Sequence, residues 1–182
     1  MKRPVVFDLD GVLADFYTGY LCVCDTVRVP KPPYPPVSWV DYDNDKVWRA
    51  IRESPVFWEG LPPDVGSRIF DRIEALARPV YFVTSRVGID PLGQSKRWLI
   101  SNGIATPSVI VSKMKGEFCH AVEAAYLLDD KAGNAVCTAY MSPRTRAYLL
   151  DRPYNQFDSL ILGSKVSRVS SVEAFLDIVE RG

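Results

Sequence analysis

Histidine is almost absent from this chain: His120 is the only one in 182 residues, and cysteine is scarce, with four. Too few soft ligands remain for a zinc site, and Cys22 and Cys24 are spaced C-x-C rather than C-x-x-C. The four cysteines (Cys22, Cys24, Cys119, Cys137) are also too sparse for a disulfide scaffold, so they are expected as buried, reduced thiols. An excess of one charge is lacking too, since 22 Lys and Arg balance 22 Asp and Glu. A domain that neutralises a nucleic-acid backbone carries a basic excess or stripe, so no polymeric nucleic acid is expected as partner. No run approaches the roughly 20 apolar residues of a membrane helix. Residues 1–15 meet charge too early for a signal-peptide core. The expectation is a cytoplasmic protein without membrane contact. The composition that remains, 47% hydrophobic and 24% charged, is that of an ordinary globular protein. A chain of 182 residues can bury about 70% of its unfolded surface, which points to one domain with a modest insertion.

Short apolar runs organise the sequence. Val5-Val6-Phe7, Val80-Tyr81-Phe82-Val83, Val109-Ile110-Val111 and Tyr126-Leu127-Leu128 are apolar on both faces, as strands between two helical layers must be. Ala147-Tyr148-Leu149-Leu150 is a fifth candidate. Segments of helical length lie between them. Phe70, Ile73, Leu76 and Ala77 form one stripe, with Asp64 as its possible cap, and 92–102 ends on the helix stop Asn102-Gly103. Shorter helices are expected over 118–125 and 132–140. A last amphipathic helix carries Val172, Phe175, Leu176 and Val179 behind Ser170 or Ser171. Strand alternating with helix predicts an α/β fold, a doubly wound Rossmann-like parallel sheet with helices on both faces.

Between the first two strands the rhythm breaks. Residues 16–63 are far more than a crossover needs, and they hold Trp39, Trp48, Trp58 and most of the prolines. This segment reads as a small helical cap inserted after the first strand, with helices near 13–27 and 43–53. Residues 1–15 and 64–182 then form the core domain. The run Pro30-Lys31-Pro32-Pro33-Tyr34-Pro35-Pro36 is either a stiff connector or a polyproline ligand. Asp41, Asp43 and Asp45 imitate the start of a calcium loop, but Lys46 stands where Gly is needed and Arg52 where Glu is needed. Helix-capping acids are the better account of them.

The chemistry is concentrated after the strands. The first run ends in Asp8-Leu9-Asp10-Gly11, the second in Thr84-Ser85-Arg86, the third in Ser112-Lys113-Met114-Lys115 and the fourth in Asp129-Asp130-Lys131. Open parallel sheets bind ligands outside the carboxyl ends of their strands. Four crowded carboxylates repel unless a hard cation sits among them, and magnesium suits oxygen ligands and a substrate phosphate. Hydroxyls and an ammonium facing that cation can hold the other phosphate oxygens. A carboxylate can attack phosphorus itself, and a second one two residues on can carry protons to the leaving group and from water. Arg86 is open to two roles, a phosphate clamp or a surface ion pair. Asp151-Arg152-Pro153-Tyr154-Asn155 reads as a turn.

Asp8-Leu9-Asp10-Gly11-Val12-Leu13-Ala14-Asp15-Phe16 resembles the first motif of the haloacid dehalogenase superfamily of phosphatases, and most of all that of the 5'(3')-deoxyribonucleotidase family. Tyr81-Phe82-Val83-Thr84-Ser85 resembles the second motif, Val111-Ser112-Lys113-Met114-Lys115 the third, and Leu127-Leu128-Asp129-Asp130-Lys131 the fourth. The resemblance implies Asp8 as nucleophile and Asp10 as acid/base. It implies magnesium held by Asp8, the Asp10 carbonyl and one of Asp129 or Asp130, with Asp130 preferred. Phosphate would be held by Thr84, Ser85 and Lys115, with Lys113 as the alternative lysine. Phe16, Trp48, Phe57 and Trp58 would surround a base, or else form the cap's own core. The implied activity is removal of phosphate from a small-molecule phosphomonoester, a (deoxy)ribonucleoside monophosphate first, a sugar phosphate or other small metabolite second. A non-catalytic phosphate-binding module is the rival from outside the enzymes. The chain is expected as a monomer or homodimer.

Overall fold

The structure is a computed structural model and describes residues 2–33, 43–156 and 159–182. Trp39, Asp41 and the Tyr34-Pro35-Pro36 end of the proline run lie outside the described residues. Six parallel strands form one sheet in the order β3-β2-β1-β4-β5-β6. They are β1 (Val5–Phe7), β2 (Val80–Thr84), β3 (Val109–Val111), β4 (Tyr126–Asp129), β5 (Arg146–Leu150) and β6 (Ser167–Val169). The chain winds outward from β1 to β3 on one side and from β4 to β6 on the other. The strand order therefore reverses between β1 and β4, where a ligand crevice opens. The register Phe7↔Leu128 brings the residues after these two strands side by side, and Asp8 N–H donates to the Leu128 carbonyl at 3.0 Å.

The helices are α1 (Phe16–Val27), α2 (Asp45–Glu53), α3 (Ser67–Glu74), α4 (Pro91–Ser101), α5 (Lys115–Ala121), α6 (Ala132–Met141) and α7 (Val172–Arg181). Successive side chains of a strand point to opposite faces, and β1 shows the consequence. Val5 and Phe7 join the larger core cluster with Ile73, Phe175 and Val179, whereas Val6 joins Val83, Cys119 and Leu127 on the other face. Phe175 meets Phe7 edge-on at 5.5 Å, anchoring α7 across the middle of the sheet. No helix among the described residues is long and apolar enough to cross a membrane.

α1 and α2 form the small cap after β1. Its buried residues Phe16, Tyr20, Val47, Ile51 and Trp58 belong to the same cluster as β1, so the apolar core runs on from sheet to cap. α1 starts at Phe16, three residues later than expected, because Asp15 is its cap and accepts from Thr18 N–H at 2.9 Å. Residues 11–14 instead form a tight turn in which Leu13 and Ala14 N–H both reach the Leu9 carbonyl. Asn44 caps α2 in the role expected of its acidic neighbours.

Other boundaries differ for similarly local reasons. Gly66, not Asp64, precedes α3, and Asp64 pairs with Arg152 instead. α5 begins at Lys115 and stops at Ala121, because Glu123 takes a left-handed turn (φ 50°) into β4. β6 had no counterpart among the expected strands; with Ser167 and Arg168 in three residues it lacks an apolar run. Cys24 and Cys119 are buried as expected, while Cys22 and Cys137 are exposed.

Candidate active site

Asp8 leaves β1 buried beneath the crevice, with its Oδ1 accepting from Leu9 N–H at 2.7 Å. Its Oδ2 lies 2.7 Å from Lys115 Nζ, which lies 2.6 Å from Asp129 Oδ2. Lys115 reaches both carboxylates because it opens α5, directly after the loop from β3. Asp129, Asp130 and Asp8 form a buried triad whose ligand atoms lie within 4.8 Å of one another. Burial pushes Asp8 up to about 6 against the pull of Lys115, and pushes Asp130 up to about 8 with the repulsion of Asp8 and Asp129. Burial works against the Lys115 ammonium, but Asp129 and Asp8 outweigh it and its net shift is upward.

These carboxylates fit a hard cation. Three of them against one ammonium leave two negative charges unbalanced in a buried cluster, the charge a divalent ion cancels. The two acids whose charged forms are disfavoured are those such an ion would restore. Asp129 is occupied: besides Lys115 it accepts from Lys131 N–H at 2.8 Å and from Asn134 Nδ2 at 3.0 Å. Asp130 keeps Oδ1 without a hydrogen-bond partner among the described residues. A buried polar atom left without a partner commonly marks an ion or water site.

Asp10 has a different environment. Its carboxylate receives Arg86 Nη2 at 2.8 Å, Arg86 Nε at 3.0–3.1 Å and Thr84 Oγ1 at 3.3 Å. The Arg86 side chain is fully buried, its Nη1 donates to Ser95 Oγ at 3.1 Å, and its guanidinium lies 5.1 and 5.7 Å from the Trp58 and Trp98 rings. Arg86 thus makes a buried ion pair with Asp10 rather than the surface pair its strand-end position allowed, and it also lines the cleft above. Burial beside two aromatic rings suits a weakly hydrated guanidinium but is invisible in sequence.

Above these groups opens a cleft of about 630 Å³, with Asp8, Asp10, Ser85, Lys113 and Asn134 on the core side and Phe16, Trp48, Trp58 and Arg52 on the cap side. Lys113 is exposed at the cleft, whereas Lys115 is buried below it. Thr84 is buried too, its hydroxyl on Asp10, while Ser85 faces the cleft. Phe16 is nearly buried and stacks against both Trp48 (5.7 Å) and Trp58 (6.0 Å). Phe57 does not line the cleft; it packs edge-on against Trp58 at 4.8 Å. Cap and core meet where Trp58 Nε1 donates to the Val87 carbonyl at 2.8 Å and Ile89 N–H to the Arg52 carbonyl at 3.1 Å.

The segment read as a turn after β5 also belongs to the site. Tyr154 Oη donates to Asp130 Oδ2 at 2.5 Å, Asn155 Nδ2 to the Asp130 carbonyl at 2.7 Å and Arg152 Nε to the Gly11 carbonyl at 2.8 Å. Position after a strand was the only signal for them. Gly11 has φ +77°, and a Cβ there would lie 2.3 Å from Asp130 Oδ2 and 2.7 Å from Tyr154 Oη. Gly11→Ala should therefore cost about 2–3 kcal/mol of stability through backbone strain and overpacking. Urea denaturation checks this, and an unchanged midpoint would show the turn to be looser than described.

No protein-family model matches the chain, and no curated protein matches it. Solved structures do match. D,D-heptose 1,7-bisphosphate phosphatase from Burkholderia thailandensis superposes with a TM-score of 0.56 at 13% identity, over 97% of both chains. A hydrolase from Pseudomonas syringae gives 0.58 at 12% identity over 99% of both. L-2-haloacid dehalogenase from Xanthobacter autotrophicus gives 0.55 at 10% identity, over 100% of this chain and 99% of that one. The chain has the fold of the haloacid dehalogenase-like proteins.

Proposed function

We propose that this protein is a magnesium-dependent phosphomonoesterase that dephosphorylates a (deoxy)ribonucleoside monophosphate through an aspartyl-phosphate on Asp8. The observation that carries this reading is the pairing of a buried carboxylate cluster with an aromatic-walled cleft into which Asp8 opens. The strand-end motifs and their resemblance to the 5'(3')-deoxyribonucleotidase family support it. Covalent capture has a precedent on this fold, since the Xanthobacter dehalogenase carries chloropropionic acid covalently bound.

In this mechanism an Asp8 carboxylate oxygen bonds to phosphorus as the bond to the leaving oxygen breaks. Lys115 holds the Asp8 side chain in place and offsets negative charge gathering there. Ser85 and Lys113, at the cleft, hold phosphate oxygens from the other side. Asp10 passes a proton to the leaving oxygen, then takes one from the water that attacks phosphorus and frees Asp8. Asp8, the Asp10 carbonyl and Asp130 would hold the magnesium, with Asp129 fixed beside it by Lys115 and Asn134. When bound, the ion supplies charge neutralisation for the carboxylates and the phosphoryl group.

The base would lie against the aromatic cap wall. Among those rings Trp48 is only half-buried, so it presents more surface to a ligand than Phe16 or Trp58. Stacking of a base on an aromatic side chain is worth about 1–3 kcal/mol. Trp48→Ala should therefore lower kcat/KM for nucleoside monophosphates by about tenfold or more, leaving glycerol phosphate within about threefold. The assay is a panel of nucleoside and sugar monophosphates at equal concentration, with magnesium and again after chelation. Nucleotides turned over best, and only with the metal, support the proposal. Sugar phosphates preferred by intact protein would transfer it to the second reading, which the heptose bisphosphate phosphatase of the same fold favours.

A further inference from the structure

Asp130 shows an unequal pair of oxygens. Oδ2 accepts the Tyr154 hydroxyl at 2.5 Å, while Oδ1 has no partner among the described residues, and Asp130 offers a carboxylate oxygen to the triad with Asp8 and Asp129. The residues around Tyr154 hold it there. Asn155 Nδ2 bridges the Asp130 and Leu150 carbonyls at 2.7 and 2.8 Å, tying the end of β5 to the end of β4. Arg168, from β6, donates to the Asn155 carbonyl and to Asp151 Oδ1, both at 2.6 Å. Arg152 reaches across to the Gly11 carbonyl, and Gly11 lacks the Cβ that would collide with the Tyr154 hydroxyl. The outer strands of the sheet thus end in a brace against the first-motif turn and Asp130.

We propose that Tyr154 is a positioning residue that makes Asp130 a one-oxygen ligand, and so biases the site toward magnesium and against calcium. Magnesium demands near-octahedral geometry with one oxygen from each ligand, whereas calcium takes six to eight oxygens and accepts a carboxylate through both. With Oδ2 held by the Tyr154 hydroxyl, Asp130 has only Oδ1 to give. Without that hydroxyl the carboxylate gains a second ligand atom and freedom to rotate. The inference rests on Asp8, Asp129 and Asp130 being a cation site, as proposed above.

Tyr154→Phe removes one hydroxyl and keeps the ring, so packing is retained. Isothermal titration of the wild type and the variant with magnesium chloride, and separately with calcium chloride, needs no substrate. Loss of an outer hydrogen bond to a ligand weakens metal binding by about 10–100-fold. The expected result is a magnesium Kd raised at least about tenfold with a calcium Kd unchanged or lowered. Equal weakening of both metals would mean general damage and would overturn the proposal, as would a magnesium Kd unchanged within about twofold. A wild type that binds neither metal would overturn the cation reading itself, an outcome distinct from failure of Tyr154 alone.

Discussion

Asp8→Asn should lower turnover by at least about a thousandfold on any phosphate ester the protein accepts. The amide has the shape of the carboxylate but neither its charge nor its nucleophilicity, so no bond to phosphorus forms. Substrate binding should change far less, because Ser85, Lys113 and the aromatic wall remain. Folding should not suffer either. Burial raises Asp8 to about 6 in the folded chain from an ordinary 3.8, despite Lys115. The charged form at neutral pH therefore destabilises the metal-free fold: the favourable, protonated state is complete below the unfolded value and lost as pH rises through the folded one. At pH 7 without metal the Asn variant should melt no lower than the wild type. Stopped-flow or steady-state phosphate release, paired with a thermal melt, checks both halves. A folded Asp8→Asn variant with more than about a tenth of wild-type activity would rule out Asp8 as nucleophile.

Lys115→Met should have the largest effect on stability. The ammonium is buried between Asp8 and Asp129, at 2.7 and 2.6 Å. Methionine matches much of its length but leaves two buried carboxylates facing each other without their cation. Removing one partner of a buried ion pair costs about 3–5 kcal/mol. Magnesium binds the folded protein alone in this account, so adding it should recover part of the loss by mass action. Urea denaturation with and without magnesium measures both terms. A loss under about 1 kcal/mol would mean that solvent reaches the cluster and screens it, contrary to the burial described.

Much of this site was legible because a parallel sheet sorts its own chemistry. Val5-Val6-Phe7 and Tyr126-Leu127-Leu128 announce buried strands, so Asp8 and Asp129 must leave the sheet at the same edge whatever the strand order. That β1 and β4 are neighbours at the reversal is what puts Asp8 beside Asp130, and sequence could only suggest it by analogy. Lys113 and Lys115 could not be separated, since two residues apart on a loop either can reach the site. The start of α5 at Lys115 separates them, burying one and exposing the other.

What could not be read depends on distant contacts. Tyr154 reaches Asp130 from 24 positions away and Arg152 reaches Gly11 from 141. Neither belongs to an apolar pattern, and a Pro-containing stretch after a strand reads as a turn by every local rule. Arg86 misleads for the opposite reason. A cation after a strand reads as a surface residue until Trp58 and Trp98, from two other parts of the chain, are found packed against it.

Trapping the phosphoryl group tests the central claim most directly. Wild-type protein is mixed with a nucleoside monophosphate and magnesium, quenched in acid during the first turnover, and its peptides are weighed by mass spectrometry. The account predicts the added mass of one phosphoryl group on the peptide bearing Asp8, localised to Asp8 itself and absent when the metal is chelated. Phosphate released at full rate with no label on the protein, or with the label on any other residue, would contradict it.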